Sequence, residues 1–113
     1  MHELSLVMSI LQIAEREAEK HDAKQIEEIE LEIGELSGVD RPAFDFAWEQ
    51  AIRSTKLEKA QRHIHDISGE ARCLECDKEF AIHQLFDPCP HCGNHFVEIR
   101  KGKEFRVKSL VVS

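Results

Sequence analysis

The four cysteines of this chain occur in two short motifs with identical spacing. Cys73 and Cys76 enclose Leu-Glu, Cys89 and Cys92 enclose Pro-His, and twelve residues separate the two pairs. A C-x2-C loop turns both of its sulfurs towards one point, so two such loops supply four thiolates for a tetrahedral site. Zn(II) suits this site because it accepts tetrahedral sulfur ligands without strain and has no redox chemistry. Gly93 directly follows the second pair, where such a loop needs a positive φ.

A metal ion with four protein ligands has no open position for a substrate, so the predicted zinc is structural. It would stabilise a segment too short to bury a sufficient core of its own. The alternatives are two disulfides, a thioredoxin-like redox pair and an iron–sulfur cluster; a redox pair would not need a second copy of the motif. His83, His91 and His95 surround the motifs. They could replace a thiolate, tune the site through hydrogen bonds, or be exposed loop residues.

The first residues of the chain contain a second set of metal-binding groups. In Met1-His2-Glu3, the terminal amine, the backbone nitrogen of His2 and its imidazole can all bind one ion and form fused chelate rings. A tetragonal nitrogen site of this kind is preferred by Ni(II) and Cu(II). The bulky His2 is also expected to discourage removal of Met1, which keeps this geometry fixed.

Four sequence segments together resemble the HypA/HybF family of nickel metallochaperones. They are the opening MHELSL, the segment LEIGELSGVD at residues 31–40, the two C-x2-C motifs ending in CPHCG, and the closing VKSLVV. The resemblance covers the whole chain in the family's order. It implies a nickel site built from Met1, His2 and Glu3, with Asp40 linked to the same site.

The resemblance also implies a function and partners. The chain is expected to carry Ni(II) to the large-subunit precursor of [NiFe]-hydrogenase, with a maturation GTPase as a second partner, and to hold Zn(II) structurally. No nucleophile–base pair or phosphate-binding loop is visible, so no catalytic residue and no enzyme activity are predicted. Which hydrogenase is served, and whether urease is served too, stays open, as does the oligomeric state.

The periodicity of the apolar residues predicts the elements that position these groups. Steps of three and four predict a helix over residues 4–20, whose apolar residues are all assigned to the core: Leu4, Leu6, Val7, Met8, Ile10, Leu11, Ile13, Ala14 and Ala18. Alternation of glutamates with Ile29, Leu31 and Ile33 predicts a strand over residues 25–35 with one solvated face.

A second helix is predicted to follow a turn region that contains Gly34 and Gly38. Asp40 is its predicted N-cap, a role that competes for the same carboxylate oxygen with nickel binding. The apolar face of this helix is predicted to contain Phe44, Ala47, Trp48, Ala51 and Ile52. Less regular extended structure is expected over residues 57–67, and a last strand over 104–112.

These elements predict an α+β fold, with two helices packed on a sheet of about three strands and an inserted zinc-ribbon-like module. The predicted domains are a discontinuous nickel-binding domain, residues 1–69 with 104–113, and a zinc-binding module, residues 70–103.

The composition and charge of the chain argue against several other classes of protein. The 113 residues include 22 acidic and 15 basic side chains, so the net charge is −7. No apolar run approaches the roughly 20 residues of a membrane span, and the start lacks the basic segment of a secretory signal, so a cytoplasmic protein without membrane partners is predicted. The alternative function is a zinc-ribbon adaptor of transcription or RNA binding. Residues 70–105 carry five basic and seven acidic side chains, which disfavours contact with nucleic acid.

Overall fold

The computed structural model describes residues 2–113 and contains two compact units. The first unit comprises the chain up to Leu31 together with Val39–Ile64 and Arg106–Ser113, and the second comprises Glu32–Gly38 and His65–Phe105. The domain boundaries expected from the sequence, at 69/70 and 103/104, stay a prediction. Within residues 2–113, no helix combines the length and the apolar composition that crossing a membrane requires.

Two helices and six strands make up the secondary structure of the described residues. In chain order they are α1 (His2–Lys20), β1 (Ile26–Gly34), α2 (Arg41–Ala51), β2 (Gln61–Ile67), β3 (Glu70–Cys73), β4 (Glu79–Ala81), β5 (Val97–Lys101) and β6 (Phe105–Val112). The predicted α+β class, with two helices and a three-stranded sheet, is confirmed. The cysteine segment adds a second small sheet, which the sequence analysis did not predict as strands.

The larger sheet has the strand order β2-β1-β6. The amide of Ser113, just after β6, donates to the Gln25 carbonyl before β1 (3.0 Å), so these two strands run antiparallel. The amide of Glu35 donates to the Ile67 carbonyl (2.9 Å), which places the ends of β1 and β2 together and makes this pair parallel. Helix α2 lies in the connection that a parallel pair requires.

Helix α1 buries a narrower stripe than its sequence predicts. Its buried side chains are Val7, Ile10, Leu11, Ala14 and Ala18. The assignment of every apolar residue of this helix to the core is wrong for Leu4, Met8 and Ile13, which are 41%, 42% and 46% exposed. One face of a helix buries a stripe somewhat over 100° wide, and these three residues lie beyond its margins.

The predicted alternation along β1 and the predicted start of α2 are both confirmed. Ile29, Leu31 and Ile33 are buried in β1. Asp40 is the N-cap of α2, where its Oδ1 accepts a hydrogen bond from the amide of Ala43 (3.3 Å).

The apolar face of α2 buries Phe44, Ala47 and Trp48 as predicted, whereas Ala51 and Ile52 are only half-buried, and Ile52 caps the end of the helix. The guanidinium of Arg62 lies 5.8 Å from the ring centre of Phe44 and 5.2 Å from that of Trp48. Arg62 also pairs with Asp45 (2.8 Å), so the strand and the helix are joined by charge as well as by apolar contact.

The second unit is built around a small core and one close backbone approach. Leu36 packs with Ala71 and Ile82, and three half-buried side chains cover this cluster: Phe80, Val97 and Ile99. A Cβ atom at Gly34 would lie 1.9 Å from the carbonyl oxygen of Gly102, so only glycine fits there. This approach lets the Leu36 amide donate to the same carbonyl (2.7 Å), which fixes Leu36 over the core.

Candidate metal centres

The four cysteines lie in two loops with the same backbone geometry. Strand β3 is the central strand of the second sheet, order β4-β3-β5, and Cys73 is its last residue. The Asp77 amide donates to the Cys73 carbonyl (3.0 Å), and the Gly93 amide donates to the Cys89 carbonyl (2.8 Å). In each loop the fifth residue therefore closes the turn on the first cysteine, as the identical spacing predicts.

Both closing residues have positive φ. Gly93 has φ 78°, as predicted, and Asp77 at the equivalent position of the first loop has φ 66°. Asp77 compensates with an ion pair to Arg72. Aspartate is among the few residues other than glycine that visit this region, so the missing glycine in the first loop still permits the same turn.

Replacing Gly93 by alanine is expected to lower the free energy of unfolding of the second unit by about 1–2 kcal/mol. Among the described residues, leaving out the two chain neighbours of Gly93, no atom lies within 4 Å of the added Cβ, so the cost comes from the backbone conformation alone. Chemical unfolding of the zinc-loaded protein measures it. Gly93→Asn is the matched control and should recover part of the loss, since asparagine tolerates positive φ. Alanine and glycine variants of equal stability would show that the turn carries no strain.

The sulfur atoms form a cluster of the size that tetrahedral coordination requires. The Sγ atoms are 3.5 Å apart for Cys73 and Cys92 and 3.7 Å apart for Cys76 and Cys89, and all four lie within 4.8 Å of one another. Zn–S bonds of about 2.3 Å in a tetrahedron place the sulfurs about 3.8 Å apart. All four cysteines are free thiols in the structure, so the alternative of two disulfides is not observed.

The thiols of this cluster influence one another's protonation. A hydrogen bond from the Cys76 amide, acting against burial, lowers the pKa of Cys73 to about 7. The Asn94 amide lowers the pKa of Cys92, but hydrogen bonds with the neighbouring thiols and burial raise it to about 12. A cation that binds four thiolates must therefore displace protons, and its affinity falls as the pH falls.

The three nearby histidines are not part of the sulfur cluster. Among the described residues, the only group of three or more candidate ligands consists of the four cysteines. The ring of His83 instead lies 3.3 Å from the carboxylate of Glu35. The backbone amide of His91 donates a hydrogen bond to Sγ of Cys89 (3.4 Å). The Gly69 amide (2.6 Å) and His83 together lower the pKa of Glu35. A replacement of a thiolate by histidine is not observed; tuning of the site stays a prediction.

Of the predicted nickel residues, His2 and Asp40 both contact one carboxylate oxygen of Glu3. Oε2 of Glu3 lies 3.5 Å from Nδ1 of the exposed His2 and accepts a hydrogen bond from the Asp40 amide (3.4 Å). Asp40 thus reaches Glu3 through its backbone, while its Oδ1 caps α2. Within residues 2–113, these three side chains are not among the groups arranged to hold one metal ion. Met1 lies outside the described residues.

Hydrogen bonds hold Glu3 in its charged form. The backbone amide of Glu3 itself and that of Asp40 lower its pKa, His2 lowers it further, and partial burial opposes them. Glu3 is therefore a deprotonated oxygen donor next to the His2 ring at neutral pH. The contact between Glu3 and Asp40 joins residues that are 37 positions apart. In the sequence, only the family resemblance of residues 31–40 linked Asp40 to the nickel site.

A family model described as "Hydrogenase/urease nickel incorporation, metallochaperone, hypA" matches residues 1–112. The chain belongs to the HypA family. The hydrogenase maturation factor HypA of Parabacteroides distasonis is 50% identical over 112 residues, which cover 99% of this chain and 97% of that protein. The HypA of Geobacter metallireducens is 40% identical over 99% of both chains.

Solved structures of HypA proteins share the fold. The solution structure of the Ni metallochaperone HypA from Helicobacter pylori superposes with a TM-score of 0.67 at 32% identity, covering 97% of this chain and 96% of that one. A second solution structure of a HypA protein gives a TM-score of 0.72 at 32% identity over 100% of this chain and 97% of that one. The chain is thus a nickel metallochaperone of hydrogenase maturation, a non-enzymatic role, with a four-cysteine site consistent with structural zinc.

Proposed function

We propose that this HypA protein receives Ni(II) at Met1, His2, Glu3 and Asp40 and passes it to the large-subunit precursor of [NiFe]-hydrogenase. A maturation GTPase is the proposed second partner. The family's role in hydrogenase and urease nickel incorporation supports the direction of transfer, towards an enzyme that needs nickel. The Helicobacter pylori protein of the same fold is likewise named a Ni metallochaperone.

The contact of Glu3 with both His2 and Asp40 is the observation that carries this proposal. His2 and Glu3 lie at the start of α1, and Asp40 lies at the start of α2. The helix dipole places partial positive charge at both helix starts and disfavours a cation there. The carboxylates of Glu3 and Asp40 offset that charge. With Oδ1 of Asp40 occupied by the cap, Oδ2 is the oxygen we assign to nickel.

Exposure favours release of the ion to another protein. The side chain of His2 is 65% exposed, and the first buried residue of α1 is Val7. A site outside the core can bind and release its ion without unfolding the helix. Selectivity for nickel would come from the nitrogen geometry, because Cu(II) binds more tightly than Ni(II) to most ligand sets.

For the four-cysteine site we propose Zn(II), held by Cys73, Cys76, Cys89 and Cys92. The four sulfur donors and their spacing suit zinc, and the closed ligand set supports a structural role. Free thiols at this site also support action in a reducing compartment, the cytoplasm. Zinc bound here would stabilise the turns around Gly93 and Asp77, which the small core of the second unit cannot order alone.

Transfer of radioactive nickel from this protein to a purified large-subunit precursor tests the proposal. Glu3→Gln and Asp40→Asn each remove a carboxylate oxygen, and we expect nickel affinity and transferred nickel to fall by about tenfold or more in both. Asp40→Asn keeps the cap, because asparagine caps helices as well as aspartate does. Asp45→Asn, on α2 but away from Glu3, is the control and should transfer normally. If the unaltered protein binds nickel but transfers none to the precursor, it is a nickel-binding protein and not the nickel donor.

A further inference from the structure

A groove in the first unit is used by neither metal centre. Its volume is about 490 Å³, and it lies between α1, with the turn after it, and strand β6. Ile13, Glu17 and His21 line one side. They are spaced four residues apart and form a single row along the helix and the turn after it. Residues 107–110 and Val112 line the other side, so an extended chain would fit between a helix and a strand.

The strand side of the groove offers main-chain hydrogen bonds. In the part of the chain that the structure describes, β6 has a neighbouring strand on one side only. Ser113 donates to Gln25 (3.0 Å) and accepts from it (3.4 Å), so the main chain of Ser113 faces β1. Alternate residues of a strand face opposite edges, so Val112 and Leu110 direct their N–H and C=O groups to the open edge. An open edge is a template for a further strand.

We propose that this groove binds an extended acidic segment of another protein, which pairs with β6 as an additional strand. Main-chain hydrogen bonds would supply affinity, and alternate apolar side chains of the segment would contact Ile13, Leu110 and Val112. The exposed Ile13, unexplained by the core, thereby gains a role.

Charge identifies the occupant as acidic. The chain has a net charge of −7, yet β6 contains Arg106 and Lys108 and no acidic residue. Lys108 lines the groove, is exposed and forms no ion pair within residues 2–113. The acidic lining residue Glu17 is neutralised by Lys20 (3.2 Å). A second copy of β6 would bring like charges together, so self-pairing is disfavoured.

The position of the groove suits a docking site for a nickel carrier. Ile13 is eleven residues from His2 along α1, about 16 Å at 1.5 Å per residue. A segment bound at β6 would hold a partner while leaving the start of the helix exposed. This docking needs no metal at residues 1–3, so its test is independent of nickel binding.

Fluorescence anisotropy of the zinc-loaded full chain with three labelled octapeptides tests the proposal. The first alternates glutamate with valine and is expected to bind. The second has the same sequence with alternate amides methylated, and should bind about tenfold more weakly because it cannot pair with a strand edge. The third carries lysine for glutamate and should also bind more weakly. Equal affinity for all three, or no binding of the first, would overturn the proposal.

Two charge-reversal variants locate the binding surface. Lys108→Glu is expected to weaken binding of the glutamate peptide about fivefold. Lys59→Glu, at an exposed turn outside the groove, makes the same change in net charge and should bind as the unaltered chain does. Equal loss in both variants would mean that only net charge matters and would overturn the site. Sedimentation equilibrium measures whether the chain forms a dimer. A dimer that dissociates when the peptide is added would show that a second copy of this chain, and not an acidic segment of another protein, occupies the groove.

Discussion

Replacing Cys73 by serine is expected to unfold the second unit of the zinc-loaded protein while the first unit stays folded. Cys73 is fully buried and ends the central strand of the small sheet. The hydrophobic cluster around which this unit is built has three buried side chains, Leu36, Ala71 and Ile82. Binding of structural zinc contributes about 10–16 kcal/mol to the folding of isolated zinc-finger peptides. The free energy lost with one thiolate ligand should therefore exceed the stability that this small core contributes.

Hydrogen exchange resolved along the sequence, together with zinc analysis, measures the effect. Protection should be lost within residues 65–105 and kept in α1 and α2, and zinc should fall from one equivalent to well below it. Leu74→Ser is the matched control, because Leu74 lies between two cysteines but is exposed and binds nothing in the cluster. A Cys73→Ser protein that keeps both its zinc and its protection would contradict the structural role.

Replacing His2 by alanine is expected to lower nickel affinity by more than about a hundredfold with little change in thermal stability. The imidazole closes the proposed chelate, and no other side chain can take its place at the start of α1. Residue 2 precedes the first buried position of the helix, so its removal leaves no cavity. Isothermal titration of nickel into the untagged protein measures the affinity. His21→Ala removes an exposed histidine elsewhere in the first unit and should bind nickel normally.

The local patterns of the sequence predicted the two cysteine loops and the helix cap better than they predicted the packing. The spacing of the cysteines is a local property, and it predicted both loops and the positive φ of Gly93. The cap at Asp40 was predicted because a capping side chain acts within three residues of its own position. Its backbone contact with Glu3 depends on how α1 and α2 pack, which no local pattern contains.

Contacts between distant residues account for what was missed. The sheet of the second unit has strands of three to five residues, too short to show an alternation in the sequence. The pairing of Glu35 with His83 joins residues 48 positions apart. The exposure of Leu4, Met8 and Ile13 follows from the width of the surface that α1 covers, and a helical period alone cannot specify that width.

We propose that nickel binds through the Met1 amine, the His2 backbone nitrogen and the His2 imidazole. The most direct test is a nickel titration, followed by absorption spectroscopy, of protein that begins at Met1 and of protein with one glycine added before Met1. We expect the first to bind nickel with the absorption spectrum of nitrogen coordination, and its affinity to fall at low pH as the amine and amide are protonated. The added residue should weaken binding greatly, because it moves the amine out of reach of the His2 ring. Equal affinities with identical spectra would contradict the claim and assign nickel to side chains alone.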